Sequence, residues 1–257
     1  MRSAQQKSDW DGTMAQAFRT ATPLCIAHRG ASRRAPENTV RAFDRALEAG
    51  ADGIELDVQA TSDGAAVVFH DATLARLTSA AGRIERTSWS RLQKLRVGGE
   101  PIPTLAEALE AIGDRALVQI EIKRAAVLPA VLRAVRQTGS ADRVILASFQ
   151  HRIVREAGAL APRLLRMLIA GRPLSAAAPE ASAMTFLRTM AAAGAHGVSL
   201  DHRAVTSERF VETMRRRAVR LWCWTVNDPR SMRRLAAWGV DGILTDDPEQ
   251  MIKSLGR

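Results

Sequence analysis

The sequence has only two cysteines, Cys25 and Cys223, and no C-x-x-C pair. Two cysteines are too few for a disulfide framework, and we expect both to be buried thiols that pack as small hydrophobic side chains. No stretch approaches the roughly 18–20 apolar residues that a membrane-spanning helix needs. The first twenty residues lack the apolar core of a secretory signal. We therefore expect a cytoplasmic protein without a membrane span.

Lysine is also scarce, because the chain has 33 arginines but only 4 lysines within a formal net charge of +10. A basic chain can attract phosphates or nucleic acid. The arginines are scattered, however, and only residues 215–217 form a triplet. No zinc-finger spacing and no basic motif interleaved with aromatic residues accompanies them. We therefore expect a solvated, arginine-rich surface and no nucleic-acid partner.

The sequence does contain short apolar, β-branched runs that alternate with longer helical patterns, which is typical of a parallel sheet wrapped by helices. Its 257 residues are the usual length of one β/α barrel. The candidate strands are residues 24–27, 53–58, 66–69, 117–122, 144–147, 164–169, 197–200, 220–226 and 242–244. These nine runs compete for eight places in a barrel. We expect either 164–169 or 242–244 to be the irregular one.

Six segments show the spacing of amphipathic helices: residues 38–49, 105–112, 125–138, 185–193, 207–217 and 229–238. Thr104, followed by Glu107, predicts a capping box at the start of the second segment. Asn227 or Asp228 before Pro229 predicts a capped first turn for the last one.

One connection is too short for a regular barrel. Between the second and third candidate strands there is room only for the turn Ser62-Asp63-Gly64, whereas a parallel crossover normally needs a dozen or more residues. We therefore predict an α/β fold, a distorted (β/α)8 TIM barrel with a small insertion after the third strand. The insertion, residues 71–103, would cap one side of the barrel mouth. Residues 1–22 would be an N-terminal extension, and we expect a single domain over 1–257.

Ionisable side chains lie at the carboxyl ends of the predicted strands, where a strand should be apolar. Glu55 and Asp57 stand at i and i+2 on the second strand, so both point to one face of the sheet. Glu121 and Lys123 repeat this spacing on the fourth strand. Three other strands end in His28-Arg29, in His70-Asp71, and near Trp224 and Asn227. The carboxyl ends form the active-site face of a β/α barrel, so the predicted fold brings these residues together.

The residue types at this face favour one kind of chemistry. Three carboxylates without cysteine form a hard oxygen site, which suits one divalent cation, Mg²⁺, Ca²⁺ or Mn²⁺, better than zinc. Two histidines can act as acid and base near neutral pH, and two cations can hold a phosphate. Each piece alone has a plainer interpretation, such as a salt bridge between Lys123 and Glu121. Burying so many charges without a function would be costly, so the pattern indicates metal-assisted phosphoryl chemistry.

The sequence resembles the glycerophosphodiester phosphodiesterase family, barrels related to phospholipase C. The resemblance begins with the long block IAHRGASRRAPENTVRAFDRALEAGADGIELDVQATSDGAAVVFHD. It continues through IPTLAEAL, VQIEIK, LASF, WCWTVND and GVDGILTDDP, and so covers nearly the whole chain. The resemblance implies His28 and His70 as the acid/base pair, and Glu55, Asp57 and Glu121 as the metal ligands.

The resemblance also assigns six neighbours of these residues. They are Arg29 and Lys123 as phosphate contacts, Phe149 and Trp224 as apolar walls beside the alcohol, and Glu37 and Asn38 as supports of the barrel mouth. The implied reaction hydrolyses a glycerophosphodiester to glycerol 3-phosphate and an alcohol. The hydroxyl next to the phosphodiester acts as the nucleophile, and water then opens the resulting cyclic phosphate.

The sequence departs from the family pattern in two places. Gln150 and His151 follow LASF, where the family often has an acidic residue, and the loop 172–183 matches nothing specific. Three other functions stay open at this point. They are a lipid-acting phosphodiesterase on the same barrel, a barrel lyase or isomerase that stabilises an enolate with a metal, and a non-catalytic phosphate-binding protein.

Overall fold

The computed structural model describes residues 22–171 and 179–257. Almost all of the predicted N-terminal extension and residues 172–178 of the open loop lie outside the described residues. Within them the strands are β1 Leu24–His28, β2 Gly53–Ala60, β3 Ala66–Val68, β4 Arg96–Val97, β5 Glu100–Pro101, β6 Leu117–Ile122, β7 Val144–Ser148, β8 Leu165–Ala170, β9 Gly197–Asp201, β10 Arg220–Trp224 and β11 Gly242–Thr245.

Eight of these strands close into a parallel ring. The order is β1, β2, β6, β7, β8, β9, β10 and β11, and β11 pairs again with β1. Helices connect successive ring strands, so the predicted TIM barrel is confirmed. A parallel strand buried on both faces reads as a continuous apolar run, which is why the ring strands were visible in the sequence.

Of the nine predicted strands, the one outside the ring is β3, which pairs antiparallel with the end of β2. The expectation that residues 164–169 or 242–244 are irregular is wrong, because β8 and β11 are both ring strands. The cause is the short connection. The turn after β2 closes with a hydrogen bond from the Thr61 amide to the Ala65 carbonyl, 3.0 Å long, and reverses the chain. The insertion therefore follows an accessory strand rather than a third member of the ring.

The helices of the described residues are α1 Val40–Glu48, α2 Trp89–Leu92, α3 Leu105–Ile112, α4 Leu128–Gln137, α5 His151–Leu160, α6 Pro179–Ala193, α7 Glu208–Arg215, α8 Pro229–Trp238 and α9 Pro248–Leu255. Thr104 and Glu107 form the predicted capping box at the start of α3. Asp228 caps α8 by accepting a hydrogen bond from the Ser231 amide. The sequence analysis did not predict α2, α5 and α9, and α6 begins six residues before its prediction.

Alternate residues of the ring strands fill the barrel interior. The apolar ones form one buried cluster: Leu24, Ile26, Ile145, Ala147, Met167, Ile169, Trp222 and Leu244. The intervening residues belong to a larger cluster under the helices, which also contains both cysteines as buried, free thiols. Strands β2, β6 and β9 instead place polar residues at the interior positions, and this polar sector is where the site forms. No helix of the described chain has the length and apolarity needed to cross a membrane.

The predicted insertion, residues 71–103, has its own small core. Seven buried apolar side chains from it and from the adjoining strand pack together: Val67, Phe69, Leu74, Ile84, Leu92, Val97 and Ile102. The hairpin of β4 and β5 and the short helix α2 complete the segment. This separate packing gives the loop after β3 a fixed position next to the barrel mouth.

Candidate active site

Three carboxylates meet at the carboxyl ends of β2 and β6. Asp57 lies opposite Glu121 in the register of these strands, and Glu55 lies one step deeper on β2. One oxygen from each carboxylate lies within 4.8 Å of the other two, and all three residues are buried. Buried anions this close repel one another unless a cation joins them. The donor set therefore fits a hard divalent cation.

Asp57 is the most heavily paired of the three acids. Its Oδ1 lies 2.7 Å from Lys123 Nζ, and its Oδ2 lies 3.1 Å from Arg29 Nε. Asn38 donates its Nδ2 hydrogen to Oδ2 over 2.9 Å. Burial raises the pKa of Asp57, but the charges of Lys123 and Arg29 outweigh it and hold the pKa below its usual range. Asp57 is thus an anion held in place from three sides.

Glu55 and Glu121 respond in the opposite direction. Burial raises the pKa of both carboxyls, and the negative charge of Asp57 raises each of them further. Lys123 Nζ lies 2.6 Å from Glu121 Oε1 and partly offsets this increase. Both carboxyls therefore resist ionisation without a cation, and a bound divalent cation would favour their charged forms.

His28 ends β1, and a carboxylate orients its ring. Its Nδ1 lies 2.7 Å from Asp246 Oδ1, directly after β11, and its Nε2 lies 3.9 Å from Glu55 Oε2. Burial lowers the pKa of His28, but the hydrogen bond to Asp246 and the charge of Glu55 give a net increase. Asn227 donates to the other oxygen of Asp246 over 2.6 Å. Since Nδ1 is engaged, Nε2 is the nitrogen left for chemistry in the cavity.

The backbone turns sharply after His28. Arg29 and Gly30 both have positive φ angles, 58° and 79°. A Cβ atom at Gly30 would lie 2.6 Å from the carbonyl carbon of Ala42 in α1, so only glycine fits there. This turn directs the Arg29 side chain toward Asp57 and Glu37.

A carboxylate also orients the ring of His70, which follows β3. Its Nδ1 lies 2.6 Å from Asp71 Oδ1. Arg76, in the insertion, donates to both oxygens of Asp71 and to both oxygens of Glu37. The hydrogen bonds with Arg76 hold the pKa of Asp71 at about 2. Arg76 therefore links the loop that carries His70 to the loop that carries Glu37.

Two aromatic rings form one side of the mouth. Phe149 and Trp224 contact edge to face, with ring centroids 5.6 Å apart. Trp224 is fixed by a hydrogen bond from its Nε1 to the Ser199 carbonyl, 3.0 Å long, whereas Phe149 is 47% exposed. Together with the charged residues they line a cavity of about 150 Å³.

The structure thus brings all of the predicted site residues to one mouth: His28, Arg29, Glu37, Asn38, Glu55, Asp57, His70, Glu121, Lys123, Phe149 and Trp224. Sequence reasoning missed Asp246 and Arg76. The signal for Asp246 was present, since it is an acid two residues after a predicted strand. Nothing in the sequence distinguished Arg76 from the many other scattered arginines. Only the fold of the insertion brings it next to Asp71 and Glu37.

A β/α barrel with a buried acidic cluster beside an arginine and a lysine at its mouth is typical of barrel enzymes that act on phosphorylated substrates. Comparison with known proteins identifies the family within this class. The model of the glycerophosphoryl diester phosphodiesterase family matches residues 28–250, and the chain belongs to this family.

Individual relatives agree with the family match. A glycerophosphodiester phosphodiesterase of Caldanaerobacter subterraneus is 40% identical over 243 residues, which cover 89% of this chain and 96% of the relative. A solved phosphodiesterase of Oleispira antarctica, in complex with the product sn-glycerol-3-phosphate, superposes with a TM-score of 0.83 at 25% identity and covers 95% of this chain and 99% of that one. The glycerophosphodiester phosphodiesterase of Thermotoga maritima gives 0.78 at 29% identity, over 91% and 99%. The predicted enzyme class is therefore confirmed.

Proposed function

We propose that this protein hydrolyses glycerophosphodiesters to glycerol 3-phosphate and an alcohol, with one divalent cation held by Glu55, Asp57 and Glu121. The observation that supports this most directly is the buried carboxylate cluster, with oxygens within 4.8 Å of one another, beside two histidines and two cations. The ion would supply Lewis-acid polarisation of a phosphoryl oxygen when bound. We propose Mg²⁺ or Ca²⁺, with Mn²⁺ as a third ion that such oxygen ligands accept.

The two histidines carry the proton transfers in this proposal. The Nδ1 atoms of His28 and His70 face carboxylates, so in a neutral ring each Nε2 is the proton acceptor. One ring accepts the proton of the glycerol hydroxyl next to the phosphodiester. That oxygen bonds to phosphorus as the bond to the alcohol breaks, and the other ring gives the alcohol a proton. Water then opens the cyclic phosphate, with the two rings in reversed roles.

The remaining side chains bind and orient the substrate. Arg29 and Lys123 line the cavity and offer positive charge to the phosphate, whose oxygens become more negative as the reaction proceeds. Glu37 and Asn38 hold Arg29 and Asp57 in place through their hydrogen bonds. Phe149 and Trp224 provide an apolar wall for the alcohol.

A small polar substrate fits this mouth better than a membrane lipid does. Among the described residues, Phe149 and Leu160 are the large hydrophobic side chains that are exposed, and two side chains do not make an apolar rim. The lipid-acting alternative therefore has less support. The cytoplasmic location and the lack of a nucleic-acid partner stay predictions, as does the single-domain organisation over residues 1–257.

Release of glycerol 3-phosphate from glycerophosphocholine tests the proposed function. We expect EDTA to abolish release and Mg²⁺, Ca²⁺ or Mn²⁺ to restore it. His28→Ala and His70→Ala should each lower kcat by about 10²- to 10⁴-fold, the usual contribution of acid–base catalysis. His151→Ala is the matched control, because His151 is exposed at the start of α5 and outside the cavity. Full activity of both histidine variants would refute the proposed roles.

A further inference from the structure

Two uncharged polar side chains of the cavity have no hydrogen-bond partner among the described residues. They are Gln119, whose Oε1 and Nε2 are both unpaired, and Ser199, whose Oγ is unpaired. Gln119 is 1% exposed and Ser199 is 0% exposed, and both line the cavity. An unpaired buried polar group lowers stability, and most buried polar groups in folded proteins have a partner. Both side chains are therefore free to form hydrogen bonds with a ligand that enters the cavity.

These side chains lie below the charged mouth. Gln119 precedes Glu121 by two residues on β6, and it stands opposite Glu55 in the strand register. Two residues correspond to roughly 6.6 Å along a strand, and because barrel strands tilt by about 36°, Gln119 lies roughly 5 Å deeper along the barrel axis. Ser199 comes from β9, and its neighbour in the register of β8 is the apolar Ile169. Gln119 and Ser199 line the same cavity from β6 and β9, and we call this pair the polar floor.

The chemistry of the pair selects the ligand. An amide and a hydroxyl each offer both a donor and an acceptor, and neither carries charge. A phosphate is better served by the cations at the mouth, and an ammonium group by carboxylates or aromatic faces. An alcohol hydroxyl, which also donates and accepts, matches both side chains.

We propose that Gln119 and Ser199 bind the terminal hydroxyl of the substrate's glycerol, the one that does not attack phosphorus. This inference rests on the proposed function, since it takes the glycerol phosphate to enter with its phosphate at the mouth. A three-carbon chain below the phosphate spans the depth between the mouth and the floor. Hydrogen bonds from Gln119 and Ser199 then favour binding of a glycerol phosphate over a phosphate ester that lacks the terminal hydroxyl.

Competitive inhibition by two phosphates tests the inference in the metal-loaded enzyme. The first is sn-glycerol 3-phosphate, and the second is 2-hydroxypropyl phosphate of matching configuration, which lacks only the terminal hydroxyl. For the unmodified enzyme we expect the first to bind about tenfold more tightly, as expected for one or two hydrogen bonds to a neutral group. Gln119→Leu, Ser199→Ala and the double variant should lose this preference by weakening only the first ligand.

A matched control separates binding from packing. Ser148→Ala removes a buried strand-end hydroxyl that already donates to the Ile122 carbonyl, so it should keep the tenfold preference. Gln119→Leu and Ser199→Ala should melt at or above the temperature of the unmodified protein, because each removes an unpaired buried group. Folded variants that lose the preference support the inference.

Three results would overturn it. Equal inhibition of the unmodified enzyme by both phosphates would contradict the inference alone, as would variants that keep the tenfold preference. Failure of the metal-loaded protein both to bind either phosphate and to hydrolyse glycerophosphocholine would overturn the proposed function together with the inference.

Discussion

At the scale of single residues, each predicted catalytic histidine has a carboxylate behind it. Asp246 holds Nδ1 of His28, and Asp71 holds Nδ1 of His70. Each carboxylate is in turn held by a further donor, Asn227 in the first case and Arg76 in the second. We therefore propose that Asp246 and Asp71 are positioning residues, which fix the tautomer and direction of a ring rather than contact the reacting atoms.

Replacement of Asp246 by asparagine tests this arrangement. The amide can donate to Nδ1 of His28 and so favour the tautomer that has its proton on Nε2. We expect Asp246→Asn to lower kcat for glycerophosphocholine by about 10²-fold, with a much smaller change in KM. Asp44→Asn is the control, since Asp44 forms a half-exposed ion pair with Arg115 away from the cavity. An unchanged kcat for Asp246→Asn would contradict a positioning role.

At the scale of elements, the sequence predicted the strands of the ring but did not identify β3 as the strand outside it. Ring strands such as β7 read as nearly continuous apolar runs because both faces are buried. The accessory strand β3 is equally apolar, since it packs on the core of the insertion, and composition alone could not separate it from β8 or β11. The short connection after β2 was the physical signal, because no parallel crossover fits into it.

The residues of the candidate site also differ in whether the sequence could predict them. The charged members of the site were predictable because several strand ends carry ionisable groups at once, such as Glu55 and Asp57 on β2, and burying so many charges without a function is costly. Gln119 and Ser199 were not predictable, since uncharged residues occur on strands without any function. Their significance comes from the missing partners, which only the packed barrel reveals.

Within the insertion, Arg76 connects two loops of the site. Its bonds to Asp71 and Glu37 join the His70 loop to the loop that follows β1. Arg76 is 47% exposed, so these ion pairs are screened by solvent. We expect Arg76→Met to lower kcat by about two- to fivefold and the free energy of unfolding by at most about 1 kcal/mol.

Arg83→Met serves as the control for Arg76→Met. Arg83 lies in the same insertion, is similarly exposed, and pairs with Glu85 rather than with the site. Steady-state kinetics and urea unfolding of both variants give the comparison. Equal kcat values for the two variants would show that the link to Asp71 and Glu37 has no part in catalysis.

At the scale of the whole molecule, the three buried carboxylates at the barrel mouth lower the stability of the fold. Burial raises the pKa of Glu55 and Glu121, and repulsion by the neighbouring Asp57 carboxylate raises both further. A cation that binds only the folded chain should stabilise the entire barrel through mass action. At a hundred times its Kd it adds about 2.7 kcal/mol, or roughly 5–10 °C in Tm for a chain of this length.

Thermal unfolding with and without a divalent ion measures this coupling. We expect Mg²⁺, Ca²⁺ or Mn²⁺ to raise the Tm of EDTA-treated protein, and Glu121→Gln to remove most of the increase. Glu110→Gln, an exposed position on α3, should keep the full increase. If Glu121→Gln responded to the ion as Glu110→Gln does, the ion would be binding somewhere other than the carboxylate cluster.

The central claim is that this barrel cleaves a glycerophosphodiester at the bond between phosphorus and the alcohol. Phosphorus NMR of glycerophosphocholine incubated with the metal-loaded protein tests it most directly, because it shows which ester bond is broken. We expect the substrate signal to be replaced by that of glycerol 3-phosphate, and EDTA to stop the conversion. Appearance of phosphocholine, or an unchanged substrate in the presence of folded, metal-loaded protein, would contradict the claim.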